Sequence, residues 1–184
     1  MIVAGSEDTM SARLGIVDEH VSLENEHNLD GIMGTFGETA RYDDEPWQAH
    51  YTGHQQVRAF YTQLLRALPD LHIDVRRRYA SEDAVILETT VRGQHEGTWR
   101  GLPPTGRQVD FELCGIFTFD KGNRLSGEKI YYDRATVLRQ LGVFHEPERL
   151  SGRIATALMH PVTMGRIVAR TSLRLGGIRS RRGA

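Results

Sequence analysis

Hydrophobic and polar positions follow a helical period in the first part of the chain. Apolar residues recur at helical spacing over residues 8–26 and again over 54–68, where Pro69 ends the pattern. A shorter helix is predicted after Asp30, which would act as its N-cap. The apolar side of this helix would consist of Ile32, Met33 and Phe36. The pattern therefore predicts three N-terminal helices.

From residue 71 onward the hydrophobic pattern changes to a period of two. The alternating segments span residues 71–78, 85–91, 109–119 and 125–132. Antiparallel sheets with one solvated face show this alternation. A short strand is also expected at residues 40–42, followed by a loop over 43–53 that is rich in turn-forming residues. Helices followed by a run of antiparallel strands predict an α+β fold.

The length of the third of these strands predicts a curved sheet around an apolar pocket. Because strand twist accumulates into curvature, helices on the concave side would leave a cone with a pocket at its mouth. The inward row of the third strand would line this pocket. That row consists of Val109, Phe111, Leu113, Gly115, Phe117 and Phe119.

Charge separates the last part of the chain from the rest. The net charge is −1, yet residues 149–184 carry eight arginines and no acid, while residues 1–148 hold all 24 acidic and 15 basic residues. We predict a flexible N-terminus over 1–9, one α+β domain over 10–146 and a basic amphipathic C-terminal arm over 147–184.

The arm is amphipathic in two patches. They are formed by Leu150, Ile154 and Leu158, and then by Ile167, Val168 and Leu173. The arm has no aromatic residue for base stacking, so nucleic acid is not expected as a partner. Contact with a partner subunit, contact with an anionic surface, and disorder remain open.

Composition is that of a soluble protein, and we expect a cytoplasmic location. Hydrophobic residues make up 39% of the chain and charged residues 26%, and the N-terminus lacks the basic region of a signal peptide. The single cysteine, Cys114, excludes an intramolecular disulfide and a cysteine-rich zinc site, and no metal site is predicted.

Two motifs carry a resemblance to a known family. Residues 93–106 read G-x-H-x-G-x-x-x-G-L-P-P-T-G, and residues 133–142 read D-x-x-x-x-L-x-Q-L-G. Both resemble the SnoaL-like polyketide cyclase family of the nuclear transport factor 2-like superfamily. The resemblance implies a cone-shaped α+β barrel of this type, usually a homodimer through the outer sheet face, that uses no metal or organic cofactor.

The resemblance also implies an acid/base pair, whose two positions are occupied here by Ile130 and Gly115. Two functions therefore stay open. One is a cofactor-independent cyclase, isomerase or dehydratase that acts on a small hydrophobic carbonyl compound, polyketide-like or steroid-like. The other is a non-catalytic ligand-binding or scaffold dimer that lacks the family's acid/base residues.

Glu128 is the first catalytic candidate. If Gly115 and Phe117 face inward, the neighbouring strand should send Ser126, Glu128, Ile130 and Tyr132 inward too. A carboxylate in an apolar pocket is desolvated, which moves its pKa toward the range of a general acid or base. The alternative is an outward Glu128 that pairs with a basic neighbour on the surface.

Asp133 and His95 are further catalytic candidates. Asp133 precedes the last helix of the domain, where it would serve as an N-cap or reach the pocket. His95 lies in the connection after the second long strand, where it would shuttle protons or stabilise a turn.

Aromatic and apolar side chains supply the ligand-binding candidates. They are Tyr132, Phe117, Tyr61, Trp47 and Leu113. The polar residues of segment 42–50 could form a carboxylate/imidazole cluster, but residues of this kind in a loop more usually serve turn geometry. His20 and His27 have no ligand partners at metal spacing.

Overall fold

The helices and strands of the computed structural model follow the predicted order, with one strand more than the sequence analysis predicted. The structure describes residues 4–146 and 148–166, with side chains from residue 8 onward. The elements are α1 (Ala4–Asn25), α2 (Leu29–Thr35), β1 (Arg41–Asp44), β2 (Ala49–Thr52), α3 (His54–Ala67), β3 (His72–Ala80), β4 (Ala84–Gln94), β5 (Gln108–Phe119), β6 (Leu125–Tyr132), α4 (Arg134–Gln140) and α5 (Leu150–Met159). They divide into two units, residues 1–142 and 143–184.

The six strands form one curved, unclosed sheet in the order β2-β1-β6-β5-β4-β3. All neighbours are antiparallel except β1 and β6, which are parallel. The register places Glu128 between Tyr42 of β1 and Phe117 of β5, and it places Ile130 between Asp44 and Gly115. Directly paired residues project from the same face of a sheet. The pairing therefore aligns these residues in two rows across the inner face.

Residues 43–53, predicted as a loop, instead form most of a short hairpin. β1 and β2 pair through residues 41–52, and a 3₁₀ turn over Glu45–Trp47 connects them. Gln48 closes the turn with a left-handed φ of 52°. The prediction was wrong because both strands have only four residues, too few for an alternating pattern to outweigh neighbouring turn formers.

Two helix starts also differ from the prediction. α1 begins at Ala4, inside the segment 1–9 that was expected to be flexible. The N-cap of α2 is Asn28, whose side chain accepts a hydrogen bond from the backbone N–H of Gly31 at 2.9 Å. Asp30 lies in the first turn of the helix and forms an ion pair with Arg58. Asparagine and aspartate are both good N-caps, so the sequence alone did not choose between them.

The core lies between the inner face of the sheet and the helices, in two clusters. The larger cluster joins α1, α2 and α3 to the strands, and Val17, Ile32, Val57, Val85 and Leu125 are fully buried in it. The smaller one joins the end of α3 to β4, β5 and α4 around Leu68, Val109 and Val137. Its Trp99 belongs to the segment 93–106 that the sequence analysis singled out.

Four side chains of β6 were predicted to point toward the inner face of the sheet, and the prediction is correct for all of them except Ser126. Thr118 pairs with Gly127 while Phe119 pairs with Leu125, so Ser126 is the extra residue of a bulge. Its hydroxyl lies 3.1 Å from that of Thr118, on the outer face. The prediction failed at this residue because a bulge shifts the alternation by one position.

The second unit contains α5, whose apolar residues Leu150, Ile154 and Leu158 recur every four positions and share one side of the helix. The second predicted patch, Ile167, Val168 and Leu173, lies outside the described residues. No helix within residues 4–146 and 148–166 combines the length and apolar character needed to cross a bilayer.

Candidate functional site

The inner face of the sheet and helices α1 and α3 enclose a cavity. The cavity has a volume of about 60 Å³, several times the space that one water molecule requires. Most of the lining is apolar and comes from α1, α3 and strands β3 to β6. The polar side chains in the wall are Glu24, Tyr42, Asp44, Thr89, Glu128 and Tyr132.

One set of polar residues, which we call the histidine–carboxylate cluster, consists of His20, Glu24, Tyr61 and Glu128. The Tyr61 hydroxyl donates to Glu128 Oε2 at 2.6 Å. His20 Nε2 lies 3.0 Å from the Tyr61 oxygen, 3.4 Å from Glu128 Oε2 and 3.9 Å from Glu24 Oε1. All four residues are at most 5% exposed. The cluster is therefore a buried set of one imidazole, one phenol and two carboxyl groups, in which hydrogen bonds link Tyr61 to Glu128 and to His20.

The hydrogen bonds behind His20 fix the orientation of its ring. Thr35 Oγ1 donates to the Ile32 carbonyl at 2.7 Å, and His20 Nδ1 lies 2.7 Å from the same Oγ1. Because the hydroxyl has only one proton, it accepts from Nδ1–H. This assigns the Nδ1 proton, and it leaves Nε2 as the nitrogen that faces the carboxyl groups.

Burial and mutual charge shift the pKa values of the cluster. Burial raises the pKa of Glu24 to about 8, although His20 opposes this shift. Burial disfavours the charged form of His20, but Glu24 and Glu128 outweigh it and the pKa of His20 is raised. Burial also raises the pKa of Tyr61 well above its ordinary value, so this phenol stays neutral. The cluster can thus hold and exchange protons near neutral pH.

A second set, which we call the aspartate–arginine group, consists of Asp44, Trp47, Tyr51, Arg100 and Tyr132. Arg100 forms an ion pair with Asp44 Oδ2 and donates to the Tyr51 hydroxyl at 2.6 Å. Its guanidinium lies 5.6 Å from the centre of the Trp47 ring. Burial raises the pKa of Asp44, and Arg100 offsets part of that shift. The group is a buried ion pair beside aromatic rings, at the wall of the cavity.

The segment 93–106 positions Arg100 for this ion pair. Arg100 and Gly101 both have left-handed backbone angles, with φ of 53° and 78°. Trp99 and Leu102 exchange backbone hydrogen bonds on either side of them, at 3.0 and 2.8 Å. This tight turn directs the arginine side chain toward Asp44.

The structure brings together most of the residues predicted for the site. Glu128 faces inward and is buried, as the inward alternative proposed. Phe117, Leu113 and Tyr132 line the cavity. Tyr61 lies behind Glu128 as its hydrogen-bond donor. Trp47 does not line the cavity and instead stacks near Arg100.

Asp133 lies outside the cavity and is exposed. It caps α4, where it accepts hydrogen bonds from the Ala135 backbone N–H at 2.9 Å and from the Thr136 hydroxyl at 2.5 Å. The hydrogen bond from Thr136 is the main reason why the pKa of Asp133 is lowered. Of its two predicted roles, the structure supports the N-cap.

His95 is fully buried but does not line the cavity. Its Nδ1 lies 3.1 Å from Thr105 Oγ1, and its backbone N–H donates to the Arg107 carbonyl at 2.9 Å. Burial lowers the pKa of His95. Of its two predicted roles, these contacts support the turn.

The sequence analysis missed His20 and Glu24. Both fall on the buried side of α1, in the series Val17, His20, Val21, Glu24. This spacing of three and four residues is that of a core-facing helical stripe. Polar residues on such a stripe were the signal that could have found the cluster, because buried ionisable groups are rare without a partner.

The polar segment 42–50 also separates into two faces. Tyr42 and Asp44 face the cavity, whereas Asp43 faces the other way, where it lies 2.7 Å from His50 Nδ1. This alternation follows from the strand that the loop prediction excluded. Assignment of the whole segment to turn geometry was therefore wrong for Asp44.

Within the part of the chain that the structure describes, two groups of side chains have donor atoms close enough to hold a metal ion. The ligand atoms of His20, Glu24 and Glu128 lie within 4.8 Å of one another, and so do those of Asp43, Glu45 and His50. In the first group Tyr61 and His20 already contact Glu128 Oε2, so a proton network accounts for the arrangement.

Comparison with known proteins gives one family. The model of the SnoaL-like polyketide cyclase family matches residues 16–141. No curated protein is significantly similar to this chain.

Solved structures of the same fold are numerous. AclR from Streptomyces galilaeus, a candidate hydroxylase, is 26% identical with a TM-score of 0.64, and the match covers 74% of this chain and 99% of that one. A candidate SnoaL-like polyketide cyclase from Jannaschia sp. CCS1 is 20% identical with a TM-score of 0.66 over 72% of this chain and 92% of that one.

A protein from Catenulispora acidiphila, with a ketosteroid isomerase-like fold and solved in complex with trimethylamine, is 19% identical. Its TM-score is 0.60, and the match covers 70% of this chain and 92% of that one. These matches confirm the α+β fold expected from the resemblance.

Proposed function

The chain belongs to the SnoaL-like polyketide cyclase family, and on that premise we propose that it catalyses a cofactor-independent acid/base reaction on a small hydrophobic carbonyl compound. The observation that carries the proposal is the Glu128 carboxyl group in the wall of an apolar cavity, with Tyr61 and His20 behind it. The reaction would be a cyclisation, an isomerisation or a dehydration through an enolate.

Glu128 would act as the base. Its contacts with Tyr61 and His20 both involve Oε2, which leaves Oε1 for the substrate. Oε1 would remove a proton from the carbon next to the substrate carbonyl, and the electrons of the broken C–H bond would form the enolate. Tyr61 and His20 would hold the carboxylate in place during this transfer.

Glu24 would act as the acid. With a pKa of about 8 it is mostly protonated at pH 7, and it lines the same cavity as Glu128. It would return a proton to another carbon in an isomerisation, or to the new alkoxide when the enolate attacks a second carbonyl. Two carboxyl groups in one cavity can divide the roles of acid and base in this way.

In this chain the reactive carboxyl group would occupy a different place in the cavity from the acid/base pair that the family resemblance implies. Gly115 and Ile130 pair with each other across β5 and β6, and both line the cavity without an ionisable group. Glu128 is two residues before Ile130 on the same strand and the same face.

The similar structures include the epoxide hydrolase/cyclase-like enzyme SalBIII, which is named for pyran ring formation in a polyether.

Proton exchange on a model ketone tests the proposal without knowledge of the substrate. In D₂O, NMR follows the replacement of the acidic α-protons of 2-tetralone by deuterium. We expect the wild type to accelerate exchange and Glu128→Gln to lower the enzymatic rate by about 100-fold or more. Glu112→Gln, which changes an exposed glutamate on β5, is the matched control and should exchange at the wild-type rate. Equal rates for Glu128→Gln and wild type would contradict the proposal.

A non-catalytic binding protein is the second candidate. The absence of ionisable side chains at Gly115 and Ile130 favours it. In that case the wild type would bind 2-tetralone, by calorimetry, without accelerating its proton exchange.

We also propose a cytoplasmic homodimer that associates through the outer face of the sheet. The single cysteine and the family resemblance support this proposal. The arm that starts at residue 147 would contact the partner subunit or an anionic surface through its arginines. Sedimentation velocity tests the dimer. Binding to anionic phospholipid vesicles, with and without Arg153→Glu, tests the second role of the arm.

A further inference from the structure

Helix α5 presents its large apolar side chains to solvent. Leu150 is 74% exposed, Ile154 54% and Leu158 77%, and we call these three residues the apolar row. The residue of α5 that is buried is Gly152, which has no side chain. A helix that packs into a protein core has the opposite arrangement, with its large apolar residues turned away from solvent.

The exposed apolar surface continues past the end of α5, where Met159 and Val162 are 71% and 66% exposed. Apolar residues that are exposed singly are ordinary, whereas a contiguous set marks a site of interaction with a protein or a membrane. The apolar row is contiguous because its members are four positions apart and follow one another along one side of the helix.

The charge beside the apolar row indicates what covers it. Arg149 and Arg153 are exposed, and each comes directly before a residue of the row, so they line up along one border of it. Residues 149–184 contain eight arginines and no acidic residue, so no acidic side chain of this segment can pair with them. The covering surface must therefore accept aliphatic side chains and carry negative charge.

A second copy of the chain meets these two requirements poorly. Among the described residues up to position 142, the large apolar side chains that are exposed are Tyr79 and Tyr131, which offer no aliphatic surface. Pairing of two α5 helices through their apolar rows would bring the arginines of both together without acidic residues between them. Like charges at such short range repel each other.

An anionic lipid bilayer meets both requirements with one surface. Its acyl chains take up the aliphatic side chains of an amphipathic helix, and its headgroups supply the negative charge. Arginine side chains at the border of an apolar face reach the headgroups through their flexible stems.

We propose that α5 lies in the interface of an anionic phospholipid bilayer, with the apolar row among the acyl chains and with Arg149 and Arg153 at the headgroups. This names the partner for the contact with an anionic surface proposed above, and it rests on that proposal rather than on the acid/base reaction. An apolar ligand of the kind proposed for the cavity partitions into the same bilayer. The helix would thus bring the protein to the place where its ligand is concentrated.

Vesicle binding by the full chain tests the lipid partner. One set of vesicles is pure phosphatidylcholine, and the other contains about one-third phosphatidylglycerol, which is anionic. We expect the wild type to co-sediment with the anionic vesicles about ten-fold or more strongly than with the neutral ones. The difference should decrease with added salt, because salt screens the charges of the arginines and headgroups.

Two double variants assign the binding to the two parts of the helix surface. Ile154→Ser together with Leu158→Ser should lower binding to anionic vesicles by about ten-fold or more. Arg149→Glu together with Arg153→Glu should abolish the preference for anionic over neutral vesicles. Val143→Ser makes the same kind of change at an exposed aliphatic residue before α5, so it is the matched control and should bind like the wild type.

Lipids with brominated acyl chains distinguish insertion from adsorption to the headgroups. Bromine quenches a tryptophan only at short range, so Leu158→Trp should lose fluorescence on anionic vesicles that contain such lipids. The wild type, which has no tryptophan in residues 147–184, is the control and should keep its fluorescence. Binding of Leu158→Trp without quenching would mean adsorption through charge alone and would overturn the insertion of α5.

The remaining outcomes separate this proposal from the others. Glu128→Gln should lose proton exchange on 2-tetralone and still bind vesicles, so the two proposals can fail independently. Equal binding of the wild type to both kinds of vesicle, or binding to neither, would overturn the anionic bilayer as the partner. If the wild type binds no vesicles and the double serine variant loses self-association in sedimentation velocity, a second copy covers the apolar row instead.

Discussion

The histidine–carboxylate cluster is buried throughout, whereas most of the aspartate–arginine group is half-buried, and the polar contacts of the two groups differ. In the first, Tyr61, His20 and Thr35 form a continuous chain of bonds that ends at Glu128. In the second, Asp44 and Arg100 form a direct ion pair, and Arg100 also donates to the Tyr51 hydroxyl. A chain of hydrogen bonds between titrating groups can hold mobile protons, whereas an ion pair with an arginine keeps its charges fixed. The two walls of the cavity thus suit different tasks.

Removal of His20 should have the largest effect on stability. His20→Ala leaves Glu24 and Glu128 buried without the imidazole, and loss of one partner of a buried charged pair costs about 3–5 kcal/mol. We expect a decrease of that size in the free energy of unfolding, measured with urea. The control is His72→Ala, because that side chain is 56% exposed. Equal stability of the two variants would show that the cluster is not a coupled network.

Removal of Arg100 should disrupt the aspartate–arginine group, and the decrease in the free energy of unfolding should be somewhat smaller than for His20→Ala. Arg100→Met keeps much of the aliphatic stem but leaves Asp44 buried and unpaired, at a cost of about 3 kcal/mol at pH 7. Protonation relieves an unpaired carboxylate, so the loss should shrink at pH 5. Arg77→Met, at a side chain that is 70% exposed, is the control for urea unfolding. A loss that is independent of pH would contradict the assigned role of the ion pair.

The pH dependence of stability should distinguish the two groups. The pKa of Glu24 is raised from 4.5 to about 8, and that of His20 is raised from 6.5, so both bind more protons in the folded than in the unfolded state. Their contribution to stability is therefore lost as pH rises through the window from 4.5 to 8.

We expect the free energy of unfolding to fall by about 2 kcal/mol between pH 5.5 and 8.5 because of these groups. Glu24→Gln, which cannot titrate, should show a clearly flatter profile over the same range. An unchanged slope in that variant would mean that Glu24 is not the titrating residue.

Asp133 lies in neither group and should have the smallest effect. Asp133→Ala removes the N-cap of α4 and should lower the free energy of unfolding by about 1 kcal/mol. Proton exchange on 2-tetralone should stay within two-fold of the wild type. A ten-fold loss of exchange would restore the catalytic role that the sequence allowed for this residue.

The long helices and strands were predicted correctly because each contains enough residues for its hydrophobic period to be recognised. The inward phase of β6 followed from Phe117 and Gly115, and it correctly placed Glu128 in the cavity. The pairing of β1 with β6 was hidden because the two strands lie far apart along the chain. Parallel pairing of distant strands leaves no signal in the sequence between them.

The candidate site was predicted only in part for a related reason. Glu128 and Tyr132 belong to a strand with a clear alternation, whereas His20 obtains its role from Thr35 and Tyr61 on other helices. Arg100 depends on a turn with left-handed backbone angles that its residue type does not indicate. Contacts of this kind become visible only when the tertiary structure is known.

The parallel pairing of β1 with β6 has a consequence for the order of folding. Strands β3 to β6 are consecutive in the chain and pair in that order as a meander, while β1 must wait for a much longer loop to close. Tyr42 and Asp44 reach Glu128 and Ile130 only in that late step. We therefore expect a folding intermediate, if one accumulates, to contain most of the sheet and yet to bind no ligand.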